Sequence, residues 1–394
     1  MVKIPRSHRL SRRKALQIGI GSLTALIVIA LGKFKVLSYL IYPMTIEQKL
    51  KSSQQRSFKV VGKKSLKQRA RAKGLIYGAL PHIDSPIFDP SPQLKATFVR
   101  EFDLVVAGFY WSVTRPTVDT FNFKETDYFA KFAAKNKLLL RGHPLIWSLA
   151  IPDWLPITLT RKNANQIFTN HIETVVKRYK GKIHSWDVVN EAINVKDGRA
   201  DGLRKSLWLD FLGPNYIEMA FRIAARSDPK ALLVYNEGEL EYNEEHQTGV
   251  LKLLERLKAK DTPIDALGVQ SHLWGNRFDL NYKKFGKFLS NVADLGLKIM
   301  ITELDVIDKD LPLDLAKRDR LVAIAYEDYL NTVLAEKAVI TVINWGFTDR
   351  HNWITPSIPR QDLAPARPLP FDADLQPKLA WNAIARALDR APKR

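Results

Sequence analysis

From Gly74 onward, short apolar runs alternate with longer stretches in which apolar residues recur every three or four positions. The runs predict strands at 74–80, 104–110, 138–147, 184–190, 232–236, 266–272, 298–303 and 339–347. The periodic stretches predict helices at 93–102, 126–137, 163–179, 216–226, 245–260, 282–295, 315–335 and 378–388. Helix 163–179 shows the spacing well, with Ile167, His171, Val175 and Val176 on one face. The strand runs are apolar throughout and do not alternate, which is the pattern of parallel strands covered on both faces. Eight such units predict an α/β fold of the (β/α)8, or TIM, barrel type. A doubly wound open sheet would call for a Gly-rich phosphate loop after the first strand, and none is present. The Pro-rich stretch 363–370 reads as part of a long loop after the last strand.

Charge changes the picture only at the N-terminus. The chain has 394 residues and a net charge of +20, which invites a nucleic-acid reading. Residues 1–73, however, hold eighteen Lys and Arg against a single acidic residue, Glu47, and the remainder is close to neutral with 43 Lys and Arg against 40 Asp and Glu. A phosphate-binding footprint on the body is therefore not expected, nor is nucleic acid as a partner. Arg12 and Arg13 precede an uncharged run, 15–32, in the layout of an export signal of twin-arginine type, with Ala15 where that pattern usually has Phe. The run is long enough to cross a bilayer, so residues 1–32 are expected to be either a cleaved signal or a membrane tether. Residues 33–73 read as a basic linker and 74–394 as the barrel. Localisation outside the cytoplasm follows, with the export machinery as a partner. Without cysteine, no disulfide, thiolate metal site or cysteine nucleophile is available.

In a (β/α)8 barrel the chemistry lies at the C-terminal ends of the strands. Those positions hold His143 and Trp147, then Asn190 and Glu191, then Asn236 and Glu237, Gln270 and His272, Glu303 and Asp305, and finally Trp345. Carboxylates, amides, an imidazole and indoles together suit sugar chemistry: acids for the glycosidic bond, amides for hydroxyls, flat rings for sugar faces. Glu191 and Glu303 end strands three places apart in a barrel roughly 15 Å across, so inward carboxyls meet about 5 Å apart. That separation favours a retaining glycosidase over an inverting one.

Five motifs carry a resemblance: R-G-H-P-L-I-W at 141–147, W-D-V-V-N-E-A at 186–192, G-V-Q-S-H-L at 268–273, I-T-E-L-D at 301–305 and W-G-F-T-D at 345–349. From about 74 to 388 the chain resembles glycoside hydrolase family 10, the endo-1,4-β-xylanases. The resemblance implies Glu191 as acid/base and Glu303 as nucleophile, with His272 bonded to Glu303 and Asp305 fixing its imidazole. It further implies that Asn190 holds the sugar 2-hydroxyl, that His143 and Trp147 line the sugar site just before the cleaved bond, and that Trp345 and Trp353 are platforms. Asn236 and Gln270 complete the expected substrate contacts. No metal and no cofactor is implied, and the partner is a polysaccharide, xylan or a related β-glycan.

The chain departs from the family in three places. A-G-F-Y-W at 107–111 stands where the family has a Glu, an Asn and a Lys that grip sugars before the cleaved bond. Ser148, Leu149 and Ala150 replace a polar turn, and Glu237, Gly238 and Glu239 replace D-Y-N. Arg350, His351 and the Pro-rich loop are the candidates for rebuilding that part of the cleft. Against the glycanase stand a carbohydrate-binding envelope protein with vestigial catalysis, and a protein that binds membrane or nucleic acid through residues 1–73.

Overall fold

The computed structural model describes residues 44–81 and 91–394. Eight parallel strands close on themselves: β1 (Ile76–Ala79), β2 (Leu104–Gly108), β3 (Leu139–His143), β4 (Ser185–Asn190), β5 (Leu232–Glu237), β6 (Ala266–Val269), β7 (Lys298–Ile307) and β8 (Val339–Asn344). Each pairs with the next, and β1 pairs with β8 from Ile76 opposite Thr341 to Ala79 opposite Asn344, so the sheet has no free edge. Outside it lie α1 (Pro92–Glu101), α2 (Lys124–Asn136), α3 (Ala164–Arg178), α4 (Tyr216–Ser227), α5 (Glu244–Ala259), α6 (Tyr282–Asp294), α7 (Leu315–Val333) and α8 (Leu379–Arg390). The periodicity read from the sequence is the periodicity of their buried faces. In α6, Phe285, Phe288, Leu289 and Val292 face the barrel, and Asn281 caps the helix by accepting from the Lys284 N–H at 3.1 Å.

Two expected strands are broken, and both breaks serve the site. The run 138–147 stops at His143, because Pro144 cannot donate to a ladder; Ile146–Trp147 then resumes against β4 with Trp147 opposite Asn190. The run 266–272 stops at Val269. Ser271 takes a left-handed φ of 70°, and His272–Trp274 resumes against β7 with His272 opposite Asp305. The seventh strand runs past its expected end at Glu303 to Ile307, which supplies the partner for that added piece.

Inside the barrel, Val234, Ala266 and Met300 form one apolar cluster. Toward the strand ends Arg141 and Asp187, both fully buried, form an ion pair, with Arg141 Nη1 also donating to Ser185 Oγ at 3.0 Å. Losing one partner of such a pair costs about 3–5 kcal/mol. The pair holds the layer on which the site rests.

The expected basic linker differs from the structure from residue 46 on. From Ile46 the chain packs on the barrel through helices Ile46–Ser52 and Leu66–Arg71, burying Phe58, Leu66 and Ala70. Four of its basic residues pair with acidic partners: Lys49 and Arg56 with Asp328 of α7 at 3.0 and 2.6 Å, Arg71 with Asp103, and Arg69 with Asp389. The anchoring rests on a few widely spaced apolar residues and on ion pairs, which leave no periodicity to read. The expected signal or tether at 1–32 lies outside the described residues. Among the described residues no helix is long and apolar enough to cross a membrane.

Candidate active site

Glu303 ends up at the centre of the barrel mouth with its carboxylate held on two sides. Oε1 accepts from Asn236 Nδ2 at 2.7 Å, and Oε2 accepts from His272 Nε2 at 3.3 Å. His272 is held from behind by Asp305, Nδ1 to Oδ1 at 3.0 Å, and the other oxygen of Asp305 accepts the Trp353 indole N–H at 2.7 Å. His143 Nδ1 donates to Asp187 Oδ2 at 2.8 Å and lies 3.8 Å from Glu303 Oε1. Trp345 is wedged between the two histidines, its ring 5.0 Å from that of His143 and 6.5 Å from that of His272.

Asn236 is fixed in one orientation. Its Oδ1 accepts from Thr302 Oγ1 at 2.7 Å, so its Nδ2 must face Glu303 and, at 2.8 Å, Asn190 Oδ1. A Cβ on Gly268 would come within 2.3 Å of that same oxygen, so only glycine leaves the amide its room. Asn190 in turn donates to Glu191 Oε1 at 3.2 Å, and Gln270 Nε2 donates to the same oxygen at 2.9 Å. The two carboxylates are thus joined through Asn236 and Asn190. Glu191 itself has a left-handed φ of 54°, a conformation that costs a non-glycine residue roughly 1–3 kcal/mol and is held here by its N–H to the Asn236 carbonyl at 2.9 Å.

The environments push the two carboxyls apart. For Glu191 burial is the main effect, and with the nearby charges of Glu237 and Glu303 it raises the pKa above the ordinary carboxylate value despite the Gln270 hydrogen bond. For Glu303 burial acts in the same direction, but the His143 imidazole, the hydrogen bond and charge of His272 and the Asn236 amide outweigh it and hold the carboxyl below that value. Burial opposes a charged His272, yet Asp305 and Glu303 together lift its pKa well above the usual imidazole value, so both ring nitrogens donate. The two carboxyls are thus shifted in opposite directions, Glu191 toward its protonated form and Glu303 toward its ionised form.

A reaction needing both forms should lose rate in acid as Glu303 takes a proton, below the ordinary carboxylate range, and in alkali as Glu191 loses one, above it. His272→Asn removes a hydrogen bond and a positive charge from Glu303, so the acid limb of kcat/KM should move to higher pH with a fall in kcat of roughly 10²-fold. An acid limb that stays in place would disconnect His272 from Glu303.

One expected sugar contact is used otherwise: Asn236 is wholly buried, and its hydrogen bonds go to Glu303, Asn190 and Thr302, so it positions carboxylates and leaves nothing for a hydroxyl. Gln270 donates to Glu191 through Nε2 and also lines the cavity beside that carboxylate. Trp147 is half-buried beside Asn190. Arg350, a candidate for rebuilding the cleft, donates to the Ala373 carbonyl at 2.7 Å, and the Pro-rich stretch is tied to α7 by Tyr326 Oη donating to the Pro368 carbonyl at 2.8 Å.

Three residues of the site, Asp187, Arg204 and Tyr110, are not among the candidates read from the sequence. Asp187 orients His143; its signal was a lone charge inside the apolar run of β4. Arg204 donates to the Glu191 carbonyl at 2.7 Å and stands 3.6 Å from its carboxylate, with no motif to announce it. Glu237, one of the expected strand-end carboxylates, is buried and accepts from the Ile193 N–H at 3.1 Å and from Tyr235 Oη. Tyr110 lies with its ring 5.6 Å from His143 and 5.9 Å from Trp147. A cavity of about 700 Å³ opens beside Glu191, walled by Arg204, Glu237, His246, Gln270 and Arg277 among others.

Residues 65–387 match the sequence model described as glycosyl hydrolase family 10. The chain belongs to this family. It is 31% identical over 299 residues to endo-1,4-β-xylanase B of Thermotoga neapolitana, an alignment covering 75% of this chain and 83% of that one. It is also 31% identical over 352 residues to endo-1,4-β-xylanase C of Paenibacillus barcinonensis, covering 82% of this chain but 32% of that much longer protein. Among solved structures, xylanase 10B of Thermotoga maritima superposes with a TM-score of 0.75 at 30% identity, covering 83% of this chain and 98% of that one. Membership in the family accounts for the order of the five motifs around the barrel.

Proposed function

We propose that this chain is a retaining endo-1,4-β-xylanase in which Glu303 is the nucleophile and Glu191 the acid/base. The observation that carries the reading is the pair joined through Asn236 and Asn190, one carboxyl shifted toward its ionised form by two imidazoles and an amide, the other toward its protonated form by burial and neighbouring carboxylates. Glu303 attacks the anomeric carbon, the bond to the leaving oxygen breaks, and Glu191 gives that oxygen its proton. Glu191, now a carboxylate, takes a proton from water as the water oxygen attacks the same carbon and expels Glu303. Two inversions give net retention. The relatives named as xylanases support xylan as the polysaccharide. Export through the twin-arginine-like start, to a place where such a polymer is met, belongs to the same proposal.

The replaced residues at 107–111 and 148–150 favour a second reading, the same chemistry on another β-glycan. Incubating the full chain with xylan, mixed-linkage glucan and mannan, while following reducing ends and product anomers by proton NMR, separates the two. Release from xylan with the β anomer formed first is the expected result. Release from another glycan alone would replace the substrate and keep the chemistry. Binding without release from any would leave a carbohydrate-binding protein.

A further inference from the structure

Arg204 meets Glu191 at both its backbone and its carboxyl. Nε donates to the Glu191 carbonyl at 2.7 Å, and Nη2 stands 3.6 Å from Oε2, just beyond hydrogen-bond reach. The backbone sets this position. The Arg204 N–H donates to the Ala192 carbonyl at 2.7 Å and the Asn194 N–H to the Gly202 carbonyl at 2.9 Å, with Ile193 and Leu203, both buried, paired antiparallel between them. This short ribbon carries the chain back to the end of β4, where Glu191 holds its left-handed φ of 54°.

The two oxygens of the Glu191 carboxyl are not equivalent. Oε1 accepts from Gln270 Nε2 at 2.9 Å and from Asn190 Nδ2 at 3.2 Å, which occupies both of its lone pairs. The neutral carboxyl therefore carries its proton on Oε2, the oxygen that Arg204 faces. A guanidinium has donors and no acceptor, so the O–H cannot point at it. The proton is left to face the cavity that Glu191 and Arg204 both line. Once that proton has gone, Oε2 bears charge, and closing the gap by roughly 0.8 Å makes a charge-assisted hydrogen bond.

The other charged groups around this carboxyl act differently. Glu237 at the end of β5 and Glu303 on β7 both disfavour the anion. The phenol of Tyr110, beyond β2, is acted on by the same charge. His246 of α5 lies 3.4 Å from Glu237, His272 is shared between Glu303 and Asp305, and Lys196 on the cavity wall lies 3.8 Å from Glu239. Arg204 is the cation placed against Glu191 itself.

We propose that Arg204 is a positioning residue for the acid/base: it aims the Oε2 proton toward the leaving oxygen and then holds Oε2 as the carboxylate that takes a proton from water. This rests on the reading of Glu191 as the acid/base of a β-glycan hydrolase. The test uses the full chain, wild type, Arg204→Met and Arg204→Lys; methionine removes every donor and lysine keeps the charge. On phenyl β-xylobioside, whose leaving group needs a proton, loss of the cation makes the Glu191 proton harder to remove. The alkaline limb of kcat/KM should therefore move up by about one pH unit in Arg204→Met, the low end of a neighbouring charge's effect because both groups are partly exposed. In Arg204→Lys it should stay at the wild-type pH. On 2,4-dinitrophenyl β-xylobioside, which needs no acid, Arg204→Met should give a burst of phenol and then turn over roughly tenfold more slowly than wild type below neutral pH, where its base is protonated. A burst equal to the enzyme present shows that the variant is folded. An alkaline limb that does not move in Arg204→Met, or that moves as far in Arg204→Lys, overturns the proposal; the second result would leave Arg204 a backbone anchor only. If xylobiosides are spared while aryl cellobiosides are cut, the xylan reading fails and the limbs are read on the cellobiosides; if wild type spares both, both readings fail.

Discussion

Glu303→Gln should abolish turnover on every substrate, while Glu191→Ala should abolish it only where the leaving group needs a proton. The first change removes the atom that bonds to the anomeric carbon, and loss of a nucleophile costs on the order of 10⁵-fold or more in kcat, about 7 kcal/mol at 1.36 kcal/mol per tenfold. Glutamine keeps the volume of the side chain, so the buried neighbours Asn236 and His272 stay in place and thermal stability should move little. Glu191→Ala acts on a different step. An aryl glycoside whose phenolate leaves unaided should still glycosylate Glu303, giving a burst of phenol followed by slow hydrolysis for want of a base. Azide should then restore turnover by attacking the intermediate without needing a base, and the glycosyl azide should have the β configuration. An α azide, or restored turnover in Glu303→Gln rather than Glu191→Ala, would reverse the two assignments.

The barrel was legible because its strands are apolar on both faces and its helices on one, and the catalytic pair because each glutamate ends such a strand. What the sequence could not show was how polar groups divide their hydrogen bonds. Asn236 reads like a sugar ligand from its position, yet Thr302 fixes its oxygen and thereby turns its nitrogen to Glu303 and Asn190. Asp187 looked like a residue of the strand and is the anchor of both Arg141 and His143. Arg204 meets Glu191 only because the chain returns across thirteen positions from a loop with no recognisable pattern. The breaks at Pro144 and Ser271 fall inside runs that read as single strands. They matter because a strand that stops and restarts can set Trp147 beside Asn190 and His272 beside Asp305.

A chain starting at Gly74 should be markedly less stable than one starting at Thr45, although both contain the whole barrel. The shorter chain loses Phe58 and Leu66, whose burial is worth about 1.5–3 kcal/mol each. It also loses the Leu66 N–H that donates to Glu101 Oε2 at 3.0 Å, leaving that buried carboxylate with fewer partners, among them the Trp381 indole at 3.2 Å. Backbone entropy of ordering the segment opposes these gains, and each kcal/mol of net loss lowers Tm by roughly 1–2 °C in a chain of this length. The ion pairs of Lys49 and Arg56 with Asp328 sit near the surface and add at most about 1 kcal/mol each. The apolar contacts therefore decide the outcome, and Leu66→Ala in the longer chain should alone cost about 2–5 kcal/mol. Differential scanning calorimetry of the three chains checks this. Equal Tm values would make 46–73 a tether that merely rests on the barrel. A fall in Tm on truncation that 1 M NaCl abolishes from the longer chain would give the ion pairs the larger share, since only surface charges are screened at that strength.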